Sequence, residues 1–144
     1  MLGRPFRSAT GVSKQSRRNQ AQIQGTSAQA RGVDAENRVC ALLEQQGWLV
    51  LLRRARTACG EIDIVAELRD AALIAFIEVK SRAVLSDAAC AVSSRQRMRL
   101  VDTAEILLGR YPEWSGRSFR FDLVLLDNAG RMRRIADAFR IGDG

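Results

Sequence analysis

Between Gly60 and Arg82 the chain runs GEIDIVAELRDAALIAFIEVKSR, two apolar runs joined by a short polar break. No other stretch limits the fold as strongly. Runs of this length, rich in Ile, Val and Phe and broken at a polar cluster, form a β-hairpin. Side chains on a strand alternate between faces, so Glu78 and Lys80 share one face while Ile77 and Val79 share the other. A two-residue loop at Asp70-Ala71 then puts Asp63 directly across from Glu78. In that register Asp63, Glu78 and Lys80 converge on one patch, and Ile62, Ile64, Ile77 and Val79 face a core.

Two carboxylates brought together repel each other unless a cation joins them. Oxygen ligands with no His or Cys nearby favour a hard ion, Mg²⁺ or Mn²⁺. The bland alternative is a carboxylate–lysine ion pair on a solvated sheet face, which is common and weak. Composition weighs against it. Among 23 Lys and Arg residues only Lys14 and Lys80 are lysines, so a generic surface pair in this chain would use arginine. A lysine amine has an adjustable pKa and can hold a water or, in its neutral form, deprotonate it, whereas a guanidinium stays protonated. The absence of histidine excludes His-based triads, His-ligated zinc and imidazole bases. Any hydrolytic chemistry must run on carboxylates, lysine and metal.

GEIDIVA followed by FIEVKSR closely resembles the signature of the YraN family (uncharacterised protein family 0102), small bacterial proteins whose fold resembles restriction endonucleases and Holliday-junction resolvases. The resemblance spans about Gly32 to Asp127. It implies a nuclease-type core with the pattern Asp…Glu-x-Lys, met by Asp63, Glu78 and Lys80. It also implies that Glu36, in a G-x-x-x-E pattern begun by Gly32, reaches towards the acidic site as a further metal ligand. Relatives commonly show Arg-Asn-x-Arg where this chain has Arg53, Arg54, Ala55 and Arg56. They also tend to carry a lysine at Gln96.

The rest of the chain fits that frame. Val39, Leu42 and Leu43 recur at helical spacing between Val33 and Gln46, with Asp34 placed to cap the start and Gly47 the end. Trp48 to Thr57 is a first strand, ending in Arg53, Arg54 and Arg56, whose guanidinium groups suit phosphate. An irregular connection follows Arg82. Ser93 to Arg110 is a second helix, with Arg95, Arg97 and Arg99 crowding its N-terminus against the dipole. Arg95, Gln96 and Arg99 join the candidate nucleic-acid contacts. Phe119 to Leu126 is a strand with Asp122 mid-run, either the next carboxylate along the sheet or, the preferred reading, a structural acid paired with Arg120 or a helix terminus. Residues 131–139 form a weaker strand at an edge. The expectation is an α/β domain over 32–140 with a restriction-endonuclease-like αβββαβ core. A mixed sheet presents the acidic face to a groove, with helices on the other side and flank.

The net charge is +7, of which +6 falls in residues 1–31, a stretch without a single acid. Such a segment, poor in apolar residues, reads as a disordered basic tail able to add nonspecific phosphate affinity. It lacks the apolar centre of a secretory signal. Cys40, Cys59 and Cys90, odd in number and widely spaced, point to reduced thiols in a cytoplasm. No apolar run approaches a membrane span. The function expected is Mg- or Mn-dependent hydrolysis of phosphodiester bonds in DNA, with branched DNA suggested by kinship alone. Asp63, Glu78 and the Val79 carbonyl would hold the ion while Lys80 serves the water. The alternative is a catalytically silent nucleic-acid-binding module of the same fold. The sequence leaves oligomeric state open, a dimer included.

Overall fold

A computed structural model of the protein describes residues 32–81 and 92–140. The basic segment 1–31 and most of the connection after Arg82, Cys90 included, lie outside the described residues. Helix α1 covers residues 32–45. Ala35, Val39 and Leu43, each four apart, make its buried stripe. Its end follows from one residue: Gly47 takes a φ of 87°, open to glycine at no steric cost. The Gly47 and Trp48 amides then donate to the carbonyls of Glu44 and Leu43 at 3.1 and 2.9 Å. The expected cap at Asp34 is not realised, because the chain is already helical at residue 32.

Five strands follow among the described residues: β1 (Leu49–Thr57), β2 (Gly60–Leu68), β3 (Leu73–Ser81), β4 (Ser118–Leu126) and β5 (Met132–Phe139). Helix α2 (Ser94–Arg110) separates β3 from β4. The order in the sheet is β1-β2-β3-β4-β5. The first three strands form an antiparallel meander, β4 lies parallel to β3, and β5 returns antiparallel along the edge. A parallel neighbour requires a crossover, which α2 supplies. The result is αβββαβ plus one edge strand, the expected mixed α/β order.

The hairpin register is the one that alternation dictates. Ile64 pairs with Ile77 and Leu68 with Leu73, which aligns Asp63 with Glu78. The turn itself differs from the expectation. Arg69–Ala71 forms a 3₁₀ turn and Ala72 takes a φ of 47°, so four residues, not Asp70-Ala71 alone, lie between the paired ends. A four-residue loop with the same midpoint leaves the register unchanged.

Alternation also sorts the core. Ile64, Ala66, Ala75, Ile77 and Val124 pack with the α1 stripe and Trp48. Val65, Ile74, Phe76 and Phe121 pack with Leu100, Ala104, Leu107 and Trp114 on and after α2. The helices therefore cover opposite faces. The expected placement of the helices on the other side and flank is corrected: by alternation Glu78 and Lys80 share the Phe76 face, against which α2 packs, and Glu78 lines a cavity with Gln96, Arg99 and Leu100 of that helix. Ile62 joins the α2 cluster rather than the α1 cluster that holds Ile64, so the orderly alternation of β2 breaks at Asp63.

Asp122, 1% exposed, has the structural role expected. Its carboxylate accepts from Arg120 Nε at 2.9 Å, from Arg134 at 2.7 Å and from the Asp137 amide at 2.9 Å. Both guanidiniums also lie over the Trp48 ring, at 5.5 and 4.7 Å. This knot fastens the edge strand to the sheet.

Candidate functional site

The site grows out of the break in β2. Beyond the Ile64–Ile77 pair the backbone ladder between β2 and β3 ends, and the Asp63 side chain takes over. Its Oδ2 accepts from the Val79 amide at 2.7 Å. Asp63 is thereby held beside Glu78, close enough for the two carboxyls to act on each other electrostatically. Burial, and next the charge of Glu78, push the Asp63 carboxyl up to about 7, against the lowering effect of the Val79 amide; Glu36 adds to the rise. Lys80 Nζ lies 3.0 Å from Glu78 Oε1, both side chains more than four-fifths shielded.

This donor set tests whether a hard cation fits. Two shielded carboxylates held together carry more negative charge than one ammonium offsets, so a proton or a cation must supply the remainder. Oxygen donors without thiolate or imidazole suit Mg²⁺ or Mn²⁺. Asp63 and Glu78 fit that requirement, with Val79 anchored between them through its amide. Glu36 stands apart in its bonding. It is 7% exposed and its Oε2 accepts from Arg54 Nε at 2.8 Å, with Arg53 at 3.9 Å. Among the described residues, no three His, Cys, Asp or Glu gather as a metal-holding group.

The expected nucleic-acid contacts fall on both sides of the acid pair. Arg53 and Arg54 lie towards α1, Arg53 also donating to Asn37 Oδ1 at 2.6 Å. Arg56 pairs with Glu61 at 3.0 Å, and its side chain is 82% exposed. Towards α2, Gln96 and Arg99 line a cavity of about 170 Å³ with Glu78, Gly60, Glu61 and Leu100. Arg95 is exposed on the first turn of α2. Arg97 turns its guanidinium over Phe139 at 5.8 Å, and its Nε is buried without a hydrogen-bond partner among the described residues. Gln96 also shapes the helix start. With Ser93 it forms a reciprocal cap, its backbone amide donating to Ser93 Oγ at 3.2 Å.

Sequence reasoning missed Gly60 and Glu61, which line this cavity. Gly60 has a φ of 152°, and a Cβ there would lie 3.2 Å from Thr103 Oγ1. A glycine heading an apolar strand was the available signal. A larger cleft, about 410 Å³, is lined by Phe119, Arg120, Phe121, Asp137, Phe139 and Arg140. Asp137 there is committed to an ion pair with Arg140 at 2.7 Å, and no carboxylate pair lines the cleft.

Fold and site together define a mixed-sheet α/β protein with a lysine-flanked carboxylate pair on its central strands. The sequence pattern of the uncharacterised protein family UPF0102 matches residues 35–126, and the chain belongs to that family. It is similar to a UPF0102 protein of Granulibacter bethesdensis, 45% identical over 121 residues, covering 84% of this chain and 75% of that protein. A UPF0102 protein of Rhodopseudomonas palustris is 46% identical over 108 residues, 75% of this chain and 82% of the relative. One from Azorhizobium caulinodans is 42% identical over 114 residues, 79% and 86% respectively. Among the described residues no helix is long and apolar enough to cross a membrane.

Proposed function

We propose that the chain is a metal-dependent nuclease that hydrolyses phosphodiester bonds in DNA. The observation that carries this reading is the convergence of the Asp63 and Glu78 carboxyls beside Lys80. Mg²⁺ or Mn²⁺ would be held by Asp63, Glu78 and the Val79 carbonyl, with Glu36 as a further donor; when bound it neutralises charge developing on the phosphate. Lys80 Nζ orients the attacking water as an ammonium donor or, once it has given up its own proton to solvent, accepts the water's proton as a neutral amine. Arg53, Arg54 and Arg56 on one side, and Arg95, Gln96 and Arg99 on the other, hold the flanking phosphates. The two free cysteines described, buried Cys40 and exposed Cys59, suit a reducing cytoplasm.

The test is purified full-length protein against plasmid, linear and branched DNA and against RNA, each with Mg²⁺, Mn²⁺ or chelator. Cleavage that needs the ion and is lost in Lys80→Arg supports the reading. Cleavage unaffected by chelator or by Lys80→Arg refutes it. A second reading, a binding module without chemistry, has one observation in its favour. Gln96, uncharged where relatives tend to carry lysine, is engaged in capping α2. Tight, salt-dependent DNA binding with no cleavage of any substrate would favour that reading.

A further inference from the structure

Arg54 belongs to β1 yet lacks strand geometry. Its φ is 49°, a left-handed conformation that glycine, and less often Asn or Asp, adopts readily and a long side chain does not. Arg53 pairs across to Ile64 and Ala55 to Ile62, but Arg54 makes no pair with Asp63 between them. Strain of this kind persists where the surroundings enforce it. Here the enforced outcome is a guanidinium on Glu36, Nε to Oε2 at 2.8 Å, the glutamate side chain 9% exposed and the arginine 35%. Glu36, Arg54 and Asp63 already act on one another electrostatically. The carboxylate is hidden, while the cation that satisfies it faces solvent beside the proposed phosphate path.

We infer that Arg54 is a positioning residue that withholds Glu36 from the Asp63–Glu78 pair. While the guanidinium clamps Glu36, the site offers a cation two carboxylates. When a phosphate draws the guanidinium away, Glu36 retains, among the described residues, only the 3.9 Å contact with Arg53, and its charge falls to the site. Substrate arrival and cation affinity are thereby coupled through one side chain. This rests on the metal-site reading above.

The test is isothermal titration of Mn²⁺ into full-length protein without nucleic acid, comparing wild type, Arg54→Asn, Arg54→Gly, Glu36→Gln and the Arg54→Asn/Glu36→Gln double variant. Asn and Gly both suit a left-handed backbone, so each keeps the strand while removing the clamp. Arg54→Asn and Arg54→Gly should bind Mn²⁺ on the order of tenfold more tightly than wild type, as one nearby charge is lost and another freed. Glu36→Gln alone should leave affinity within about twofold, yet on the Arg54→Asn background it should erase the gain. A gain that survives Glu36→Gln, or no gain in either Arg54 variant, overturns the clamp. Failure of both Arg54 variants to fold, read by circular dichroism, also overturns it in favour of a purely structural arginine. Wild type whose Mn²⁺ binding is absent, or indifferent to Asp63→Asn, refutes the metal reading itself.

Discussion

Replacing Asp63 by Asn removes the charge from the acid pair but keeps an oxygen to accept from the Val79 amide. The Asp63 carboxyl is raised from 3.8 to about 7, so the native state holds a proton that the unfolded chain releases. The sign follows from linkage. This contribution to stability is fully present below about pH 4 and is lost as pH rises through about 7. Raising pH from 5 to 8 crosses about two units of that interval, worth about 2.7 kcal/mol at 1.36 kcal/mol per unit. The interval is unusually clean, because the chain has no histidine. Asp127 and Asp137 are held below the ordinary carboxylate range, Asp127 by the Arg131 and Ala129 contacts against its own desolvation and Asp137 chiefly by Arg140, so both titrate beneath it. Burial raises the Cys40 thiol, which titrates above it. Urea unfolding in chelator at pH 5, 6, 7 and 8, followed by fluorescence of the buried Trp48 and Trp114, reads the effect. Wild type should lose about 2–3 kcal/mol across the series, and Asp63→Asn should stay nearly flat and be the more stable protein at pH 8. A wild-type profile as flat as the variant's, or one rising with pH, would refute the proposed clash of the two carboxyls.

Other outcomes follow from the same geometry. Lys80→Arg should fold and bind DNA normally but lose at least about a hundredfold in metal-dependent cleavage, measured by gel assay. Equal cleavage rates would sink its role. Asp122→Ala strips the shared acceptor from Arg120, Arg134 and the Asp137 amide, and should cost about 3–5 kcal/mol in urea unfolding; a loss under about 1 kcal/mol would mean the knot is ornamental. Gly60→Ala, forced against Thr103 at an unsuitable φ, should lower stability by about 1–3 kcal/mol, and an unchanged melting temperature would contradict the crowding. Millimolar Mn²⁺ should raise the melting temperature of wild type more than that of Asp63→Ala by selective binding to the folded state. Equal shifts would remove the site.

Much of this site was legible in the sequence because burial pins strand register. A slip of one residue would turn Ile64 and Ile77 out of their cluster, so Asp63 had to align with Glu78 even though the turn is longer than its residues suggest. Asp122 was legible for a related reason: a lone acid in FRFDLVLL needs a counter-charge, and Arg120 was nearby. The left-handed Arg54 was not legible from the arginine itself, which among strand-forming residues does not signal a positive φ. The cap made by Ser93 and Gln96 was visible as S-x-x-Q, but a glutamine among three arginines suits a phosphate contact equally well. The placement of α2 over the acid-bearing face depends on how the crossover packs, a tertiary choice that periodicity does not encode.

The parallel pairing of β3 with β4 also bears on the order in which the molecule assembles. The β1-β2-β3 meander closes through short turns, whereas β4 must wait for a crossover through α2, and such distant pairings form slowly. The two repelling carboxyls lie inside the early-forming meander, and Glu78 also stands opposite Leu123 across the later β3–β4 seam. The strand pair that bears the two acids therefore nucleates against its own charge, and local and global preferences conflict at this point of the fold. A sequence shaped only for rapid folding would not place an aspartate and a glutamate there.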